Sequence, residues 1–337
     1  MLARDASRRW EPSRNAASAG GAGAARVTAR RASSPPIRNG ASGLCRAFDL
    51  LLLALIAPLP ATGAPPLADV HVHYKWSQKE ITPPADAVQT LQENDVALAV
   101  VIGTPAEYAL ELQRLAPQLI IPIWSPYRSP ADWSSWPYDK GLLQRARAAL
   151  ATGSYAGIGE LHLIGGFLPD WRTPVISGLI ELAGEHQVPL LIHTELSEPS
   201  YLIELCRAHP RLRIVWAHAG AILDAAQVGE VMSACPNVWC ELSARDPWRF
   251  VKNPIVDPAG ILLPQWRGLI ETYPDRFMVG SDPVWPVEQL DSWDQADTGW
   301  QHYRRFVEFH RGWLGQLAPQ LAEKLRLRNA RVLFAAH

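Results

Sequence analysis

The sequence predicts a single α/β barrel of the (β/α)8 type, and three observations carry that prediction. Short apolar runs alternate with amphipathic stretches from Leu67 onward, the rhythm of βα units in a parallel sheet. The runs number eight, and metal-competent side chains stand where four of them end. A chain of 337 residues, 48% hydrophobic and 19% charged, also has the apolar content for one large core.

Taken in order, the strands are expected at Ala68–Tyr74, Ala97–Gly103, Leu119–Trp124, Tyr155–Leu163, Pro189–Thr194, Arg213–Ala219, Asn237–Ser243 and Arg276–Ser281. Helical spacing of apolar residues predicts helices between them at Ala85–Asn94, Glu107–Leu115, Gly141–Ala151, Val175–Gln187, Tyr201–Ala208 and Ala225–Ala234. The runs Ala208-His209-Pro210 and Ala234-Cys235-Pro236 suit helix-to-strand turns, because the residue before a proline is pushed out of the helical region. The longest break in the rhythm is Asp246 to Asp275, where Trp248, Phe250 and Trp266 sit among prolines. It follows the seventh strand, so it reads either as a lid over the C-terminal face of the barrel or as a surface excursion containing an ordinary helix.

The chain before the barrel differs in character. Residues 1–66 hold nine Arg against Asp5, Glu11 and Asp49, whereas the remainder holds 23 basic and 30 acidic residues. A mildly acidic body excludes nucleic acid as the expected partner. Residues 1–43, rich in Ala, Ser, Gly and Arg, have no apolar periodicity and are expected to be disordered. Residues 44–66 place Arg46 before a short apolar stretch and end in Ala61-Thr62-Gly63-Ala64, the three parts of a secretory signal, too short for a stable membrane span. The expectation is export to the periplasm or beyond, with the mature chain starting near Ala64 or Pro65. A signal this deep in the chain also implies a translation start downstream of Met1. Without export the protein is cytoplasmic and the segment is a buried helix, which Pro58 and Pro60 would end at once. Residues 67–337 then form the barrel. Cys45 falls in the signal-like segment, and Cys206, Cys235 and Cys240, with no paired short spacing, are expected as small buried hydrophobes.

The chemistry is at the strand ends. His71 and His73 close the first strand, and alternation points both into the barrel. His193 closes the fifth, His218 the sixth and Asp282 the eighth. Barrel closure brings these ends to one mouth and gathers nitrogen and oxygen donors suited to zinc or a similar divalent ion. On the fourth strand Ile158, Glu160 and His162 share a side, which leaves open whether Glu160 bridges two ions, binds one, or aligns a ligand imidazole. Around the mouth, Tyr74, Lys75 and Trp76 follow strand 1, Trp124, Tyr127 and Arg128 strand 3, Arg245 strand 7 and Trp285 strand 8. An apolar lining with a few charges suits a small organic substrate. Trp76, Arg128, Arg245 and Trp285 are the expected substrate contacts, with the Arg245 guanidinium meeting a carboxylate.

These motifs resemble the amidohydrolase superfamily, and most closely its amidohydrolase-related branch, which includes the aminocarboxymuconate semialdehyde decarboxylases. The residues that carry the resemblance are Asp69 to His73, Gly157-Ile158-Gly159-Glu160, Leu191-Ile192-His193-Thr194, Val215 to Gly220, Phe277 to Asp282 and a closing helix from Glu323 to Phe334. It spans Leu67 to Phe334. It implies that His71, His73, His193 and Asp282 hold the metal, with His218 beside it and with His218 and Asp282 moving protons. One ion is expected from that branch, and two are expected if Glu160 bridges. The implied activity is hydrolysis of an ester, lactone or amide by a metal-activated water. Alternatives are non-oxidative decarboxylation of a small carboxylate on the same site, an inactive binding barrel, and a TatD-like phosphodiesterase. The last shares the His-x-His strand and the strand-4 Glu, but the acidic body counts against it. Substrate choice and oligomeric state reside in loops and surfaces that no motif here encodes.

Overall fold

A computed structural model describes residues 63–163, 170–194, 196–249, 253–285 and 295–334. The disordered extension expected at 1–43 and nearly all of the signal-like segment lie outside these residues, as does Phe250.

Eight parallel strands alternate with helices in the order β1 Leu67–Lys75, α1 Pro84–Glu93, β2 Val96–Thr104, α2 Glu107–Leu115, β3 Ile120–Ile123, α3 Leu142–Leu150, β4 Ile158–His162, α4 Pro174–Glu185, β5 Leu190–His193, α5 Pro199–Ala208, β6 Ile214–Trp216, α6 Ala225–Ala234, β7 Val238–Glu241, α7 Pro264–Thr272, β8 Phe277–Met278 and α8 Tyr303–Leu314. Proline at the first turn starts α1, α4, α5 and α7, where its missing N–H costs nothing. Asp224 and Gln227 form a reciprocal cap at α6. Strands β1–β2–β3 pair in one ladder and β4 to β8 in another. The ladders are stitched by Trp124 N–H to Gly157 O (2.8 Å) on one side, and by Val70 N–H to Val279 O (3.0 Å) and Asp282 N–H to His71 O (2.8 Å) on the other. The chain is therefore a (β/α)8 barrel.

Its interior is filled from below. Ala68, Val70, Val100, Ile102, Ile123, Leu191, Val215 and Met278 cluster with Leu327, Ala330, Leu333 and Phe334 of the closing segment, whose last helix, α9, is Asn329–Phe334. Asn329 donates to Pro274 O and Phe277 O, and Arg213 to Leu333 O, so this segment sits at the strands' N-terminal ends. The opposite end is left to polar side chains.

One expectation changes. Cys206 and Cys235 form a disulfide rather than lying as separate small hydrophobes, because α5 and α6 are neighbours outside the barrel and bring the two Cα atoms within 5.9 Å. Among the described residues, Cys240 is the free thiol, and it is buried. The segment after β7 contains the ordinary helix α7 and an antiparallel bridge between Val256 and Leu262, and two of its arginines reach back into the barrel mouth.

Candidate metal centre

At the strands' C-terminal ends the barrel gathers His71 and His73 from β1, Glu160 and His162 from β4, His193 from β5, His218 after β6 and Asp282 after β8, each no more than 8% exposed. Glu160 is the hub. Its Oε1 lies 3.0 Å from His193 Nδ1 and 3.4 Å from His218 Nε2. Its Oε2 lies 3.1 Å from His73 Nε2 and 3.4 Å from both His71 Nε2 and His162 Nε2. Asp282 Oδ1 is 3.6 Å from His73 Nε2 and 3.9 Å from His71 Nε2. The donors fall into three overlapping triads: His71, His73 and Asp282; Glu160, His162 and His193; and His71, Glu160 and His218.

Outer partners set the tautomers. Burial raises the pKa of Glu241, but His71 and His218 overcome this and hold it down to about 2. Its Oε1 accepts from His71 Nδ1–H (2.9 Å), the His218 backbone N–H (2.6 Å) and the Ser243 hydroxyl (3.0 Å), and its Oε2 from the Ser243 N–H (2.8 Å). Since Ser243 Oγ donates to Glu241, it accepts from His218 Nδ1–H at 2.8 Å. His71 and His218 thus both commit Nδ1–H outward and turn Nε2 toward the cluster. Burial works against ionising Glu160 but the surrounding imidazoles keep its pKa well below the usual range, while burial and the neighbouring imidazoles keep that of His162 well below its own. Ionised carboxylates converging with imidazole lone pairs form a nitrogen and oxygen donor set that fits a divalent metal ion. His71 Nε2 and His73 Nε2, only 3.1 Å apart, need a shared proton or cation between them.

Two of these residues sit on strained backbone. His218 (φ 54°) and Asp282 (φ 47°) lie in the left-handed region, each at a cost of about 1–3 kcal/mol. Two arginines from the segment after β7 stabilise those turns. Arg245 Nε donates to His218 O (2.7 Å), Nη2 to Ala219 O (2.6 Å) and Nη1 to Leu223 O (2.7 Å) and Asn253 O (2.8 Å). Arg249 Nη1 donates to Asp282 O (2.5 Å) and Nη2 to Ser281 O (2.9 Å), while its Nε bonds Asp246.

Arg245 therefore corrects the sequence reading. It was expected to meet a substrate anion, but it is 0% exposed and four of its five N–H groups are given to backbone carbonyls. Arg128 stands at the exposed rim, its charge shared with Asp132 and Asp139. Trp76 and Trp285, both half-buried, follow β1 and β8, and Asp297 anchors the Trp285 N–H at 2.8 Å. Glu241, Ser243 and Arg249 were not singled out from sequence, although Glu241 closes β7 at the level where the other strands end in ligands.

A parallel barrel whose mouth holds this donor set defines a metal-dependent hydrolase. The chain matches the Amidohydro_2 family, described as Amidohydrolase, over residues 57–335, and it belongs to that family. No curated protein matches it. Among solved structures it is similar to a TatD homologue, YjjV, of Escherichia coli K12 (17% identity, TM-score 0.54, covering 80% of this chain and 98% of that one). It is also similar to an amidohydrolase of Burkholderia multivorans with bound HEPES (16% identity, TM-score 0.49, 80% and 99%). A third neighbour is an amidohydrolase 2 of Bifidobacterium longum subsp. infantis (13% identity, TM-score 0.46, 80% and 100%). The first of these likenesses supports the barrel fold.

Proposed function

We propose that the barrel hydrolyses a small organic ester, lactone or amide at a centre of two divalent ions, zinc being the expected metal, joined by Glu160. The observation that carries this reading is the division of donors around that carboxylate: Oε2 faces His71 and His73, which group with Asp282, together with His162, while Oε1 faces His193 and His218. One ion would be held by His71, His73 and Asp282, the other by His193, with Glu160 common to both. The resemblance implies one ion, and this division of donors favours two. Bound ions supply Lewis acidity and lower the pKa of a water molecule toward neutrality.

The chain's own residues do the rest. Glu241 accepts the His71 Nδ1–H and so aims Nε2 inward. His218, whose Nδ1 proton is committed to Ser243, has Nε2 available to take a proton from the nucleophile and return it to the leaving group. Asp282, held by Arg249 through its carbonyl, offers a second proton acceptor beside His73. Trp76 and Trp285 would wall the entrance for a small, partly apolar substrate.

The test is elemental analysis of the purified chain with a turnover screen of ester, lactone, amide and aromatic carboxylate substrates, repeated for His218→Asn. Expected are bound divalent metal, hydrolysis, and about 10²- to 10⁴-fold slower turnover in the variant with its metal retained. Active protein without metal, or carbon dioxide release in place of hydrolysis, overturns the reading. Export is part of the proposal: the signal-like segment and the Cys206–Cys235 disulfide point independently to an oxidising compartment. Among the described residues no helix is long and apolar enough to cross a membrane. A native N-terminus near Ala64 supports export, and residues 1–43 recovered in cytosolic protein refute it.

A further inference from the structure

We propose that the floor of the barrel, the face opposite the candidate metal centre, is a docking surface for an anionic lipid bilayer. It is built from Arg211 and Arg213 on the turn into β6 and from Arg326, Arg328, Arg331 and Val332 of the closing segment. The inference is independent of the chemistry at the mouth and rests, for its partner, on the export reading above.

The fold gathers charge that the composition hides. Residues 67–337 carry 23 basic and 30 acidic side chains, yet 319–334 holds four basic and one acidic, and 208–214 holds two basic and none acidic. The two stretches are neighbours, since Arg213 Nη1 donates to Leu333 O at 3.1 Å. Acidic side chains at the same end are already engaged by other cations. Asp275 Oδ1 lies 2.7 Å from Lys324 Nζ, Asp95 Oδ2 3.8 Å from Arg311 Nη2, and Glu185 Oε2 2.9 Å from Arg147 Nη1. Among the described residues, Arg211, Arg328 and Arg331 make no side-chain hydrogen bond or ion pair, and all three are exposed. Like charges held together without counter-charges give a face that gains by meeting anions.

Two observations select a bilayer among anionic partners. First, α9 turns Asn329, Ala330, Leu333 and Phe334 inward, so Arg331 and Val332 point away from the barrel, and Val332 is 70% exposed. An aliphatic side chain set beside arginines suits the headgroup boundary, where the guanidinium groups meet phosphates and the apolar side chain reaches toward the acyl chains. Second, the chain enters the barrel at this face. Arg326 donates to Pro66 O, and the apolar run Leu50–Ile56 ends ten residues before Pro66. Ten extended residues span at most about 35 Å. A run that inserts in a bilayer during export therefore delivers the floor to the lipid surface. With the floor down, the strand ends that carry His71, His73, His193 and Asp282 face the water and stay open to substrate.

The experiment is co-sedimentation of the full chain with vesicles of phosphatidylcholine, alone or with roughly one-third phosphatidylglycerol. Two backgrounds are compared: the natural sequence, and Leu51→Ser with Leu53→Ser, in which the apolar run no longer inserts. Arg328→Glu with Arg331→Glu is added to each, and circular dichroism and zinc content confirm that the fold and the centre are kept. Where reversal perturbs the fold, Arg328→Gln with Arg331→Gln replaces it. In the serine background, binding is expected to the anionic vesicles and not to phosphatidylcholine alone. It should weaken by about 25-fold or more on charge reversal, at about fivefold for each arginine lost, and vanish as salt rises from about 0.1 M to about 0.5 M. Val332→Ser should weaken it by a smaller factor. Anionic vesicles left unbound in the serine background, or bound equally after charge reversal, overturn the inference. Equal binding to duplex DNA at the same salt also overturns it and makes the face a general polyanion surface. A cytosolic location refutes export and leaves the vesicle result to decide the surface.

Discussion

Glu241→Gln is the sharpest probe of how the centre is held. The carboxylate accepts four hydrogen bonds and is 0% exposed. An amide keeps the shape but turns one oxygen into a donor. If the NH2 takes the Oε2 position it faces the Ser243 N–H; if it takes the Oε1 position it faces the His71 Nδ1–H, the His218 N–H and the Ser243 hydroxyl. Either orientation sets a buried donor against a donor, at about 1–3 kcal/mol, and removes the charge that strengthened the remaining bonds. His71 can relieve the clash by moving its proton to Nε2, which removes the lone pair aimed at the cluster. The expected result is a loss of zinc affinity of about 10- to 100-fold at the position that includes His71. The melting temperature of the metal-free protein should also fall, by roughly 2–4 °C for each kcal/mol lost. Chelator competition and thermal melts read the two effects separately. Wild-type zinc affinity in a folded Glu241→Gln protein would refute the assigned role, whatever happened to stability.

Three further outcomes follow from the same geometry. A Cβ at Gly280 would stand 2.6 Å from Glu241 Oε2 and 2.7 Å from His71 Cβ, so Gly280→Ala should cost about 1–3 kcal/mol and weaken metal binding, and a neutral Gly280→Ala in both titrations contradicts this packing. Burial, the largest influence on His310, lowers its pKa from 6.5 to about 4 despite a 2.7 Å bond to Gly280 O. Because the unfolded state takes the proton first, the stability it contributes is present above pH 6.5 and lost, by about 3 kcal/mol, as pH falls toward 4. Denaturant curves at pH 7 and pH 4.5 should show a smaller acid loss in His310→Gln than in the wild type, and equal losses refute it. Arg245→Met should unfold or destabilise the protein by about 3 kcal/mol or more through the orphaned carbonyls of His218, Ala219 and Leu223. A stable variant altered only in KM for anionic substrates would return Arg245 to the pocket.

The strands were legible because parallel barrel strands are buried on both faces and read as short apolar runs; β1, expected at Ala68–Tyr74, forms at Leu67–Lys75. The clustering of His71, His73, His193, His218 and Asp282 was legible because each ends a strand. Their supports were not, since Glu241 lies 170 residues from His71 and is linked to it only after the sheet closes. The Cys206–Cys235 pairing was hidden for the same reason: 29 residues of spacing carry no trace of two helices lying side by side. Arg245 misled because a guanidinium after a barrel strand serves as readily to hold a turn's carbonyls as to hold a substrate.

The stopper formed by α9 has a consequence for the order in which the molecule is made. Val70 and Met278 share a core cluster with Leu333 and Phe334, Arg326 reaches the carbonyl of Pro66 across 260 residues, and Tyr303 bonds Asp69 across 234. The first strand therefore waits for segments that the ribosome reaches only after the eighth strand has been synthesised. A growing chain is therefore expected to assemble its middle βα units before His71 and His73 face Asp282. A truncation that removes α9 should therefore weaken metal binding at the far end of the barrel without touching a ligand.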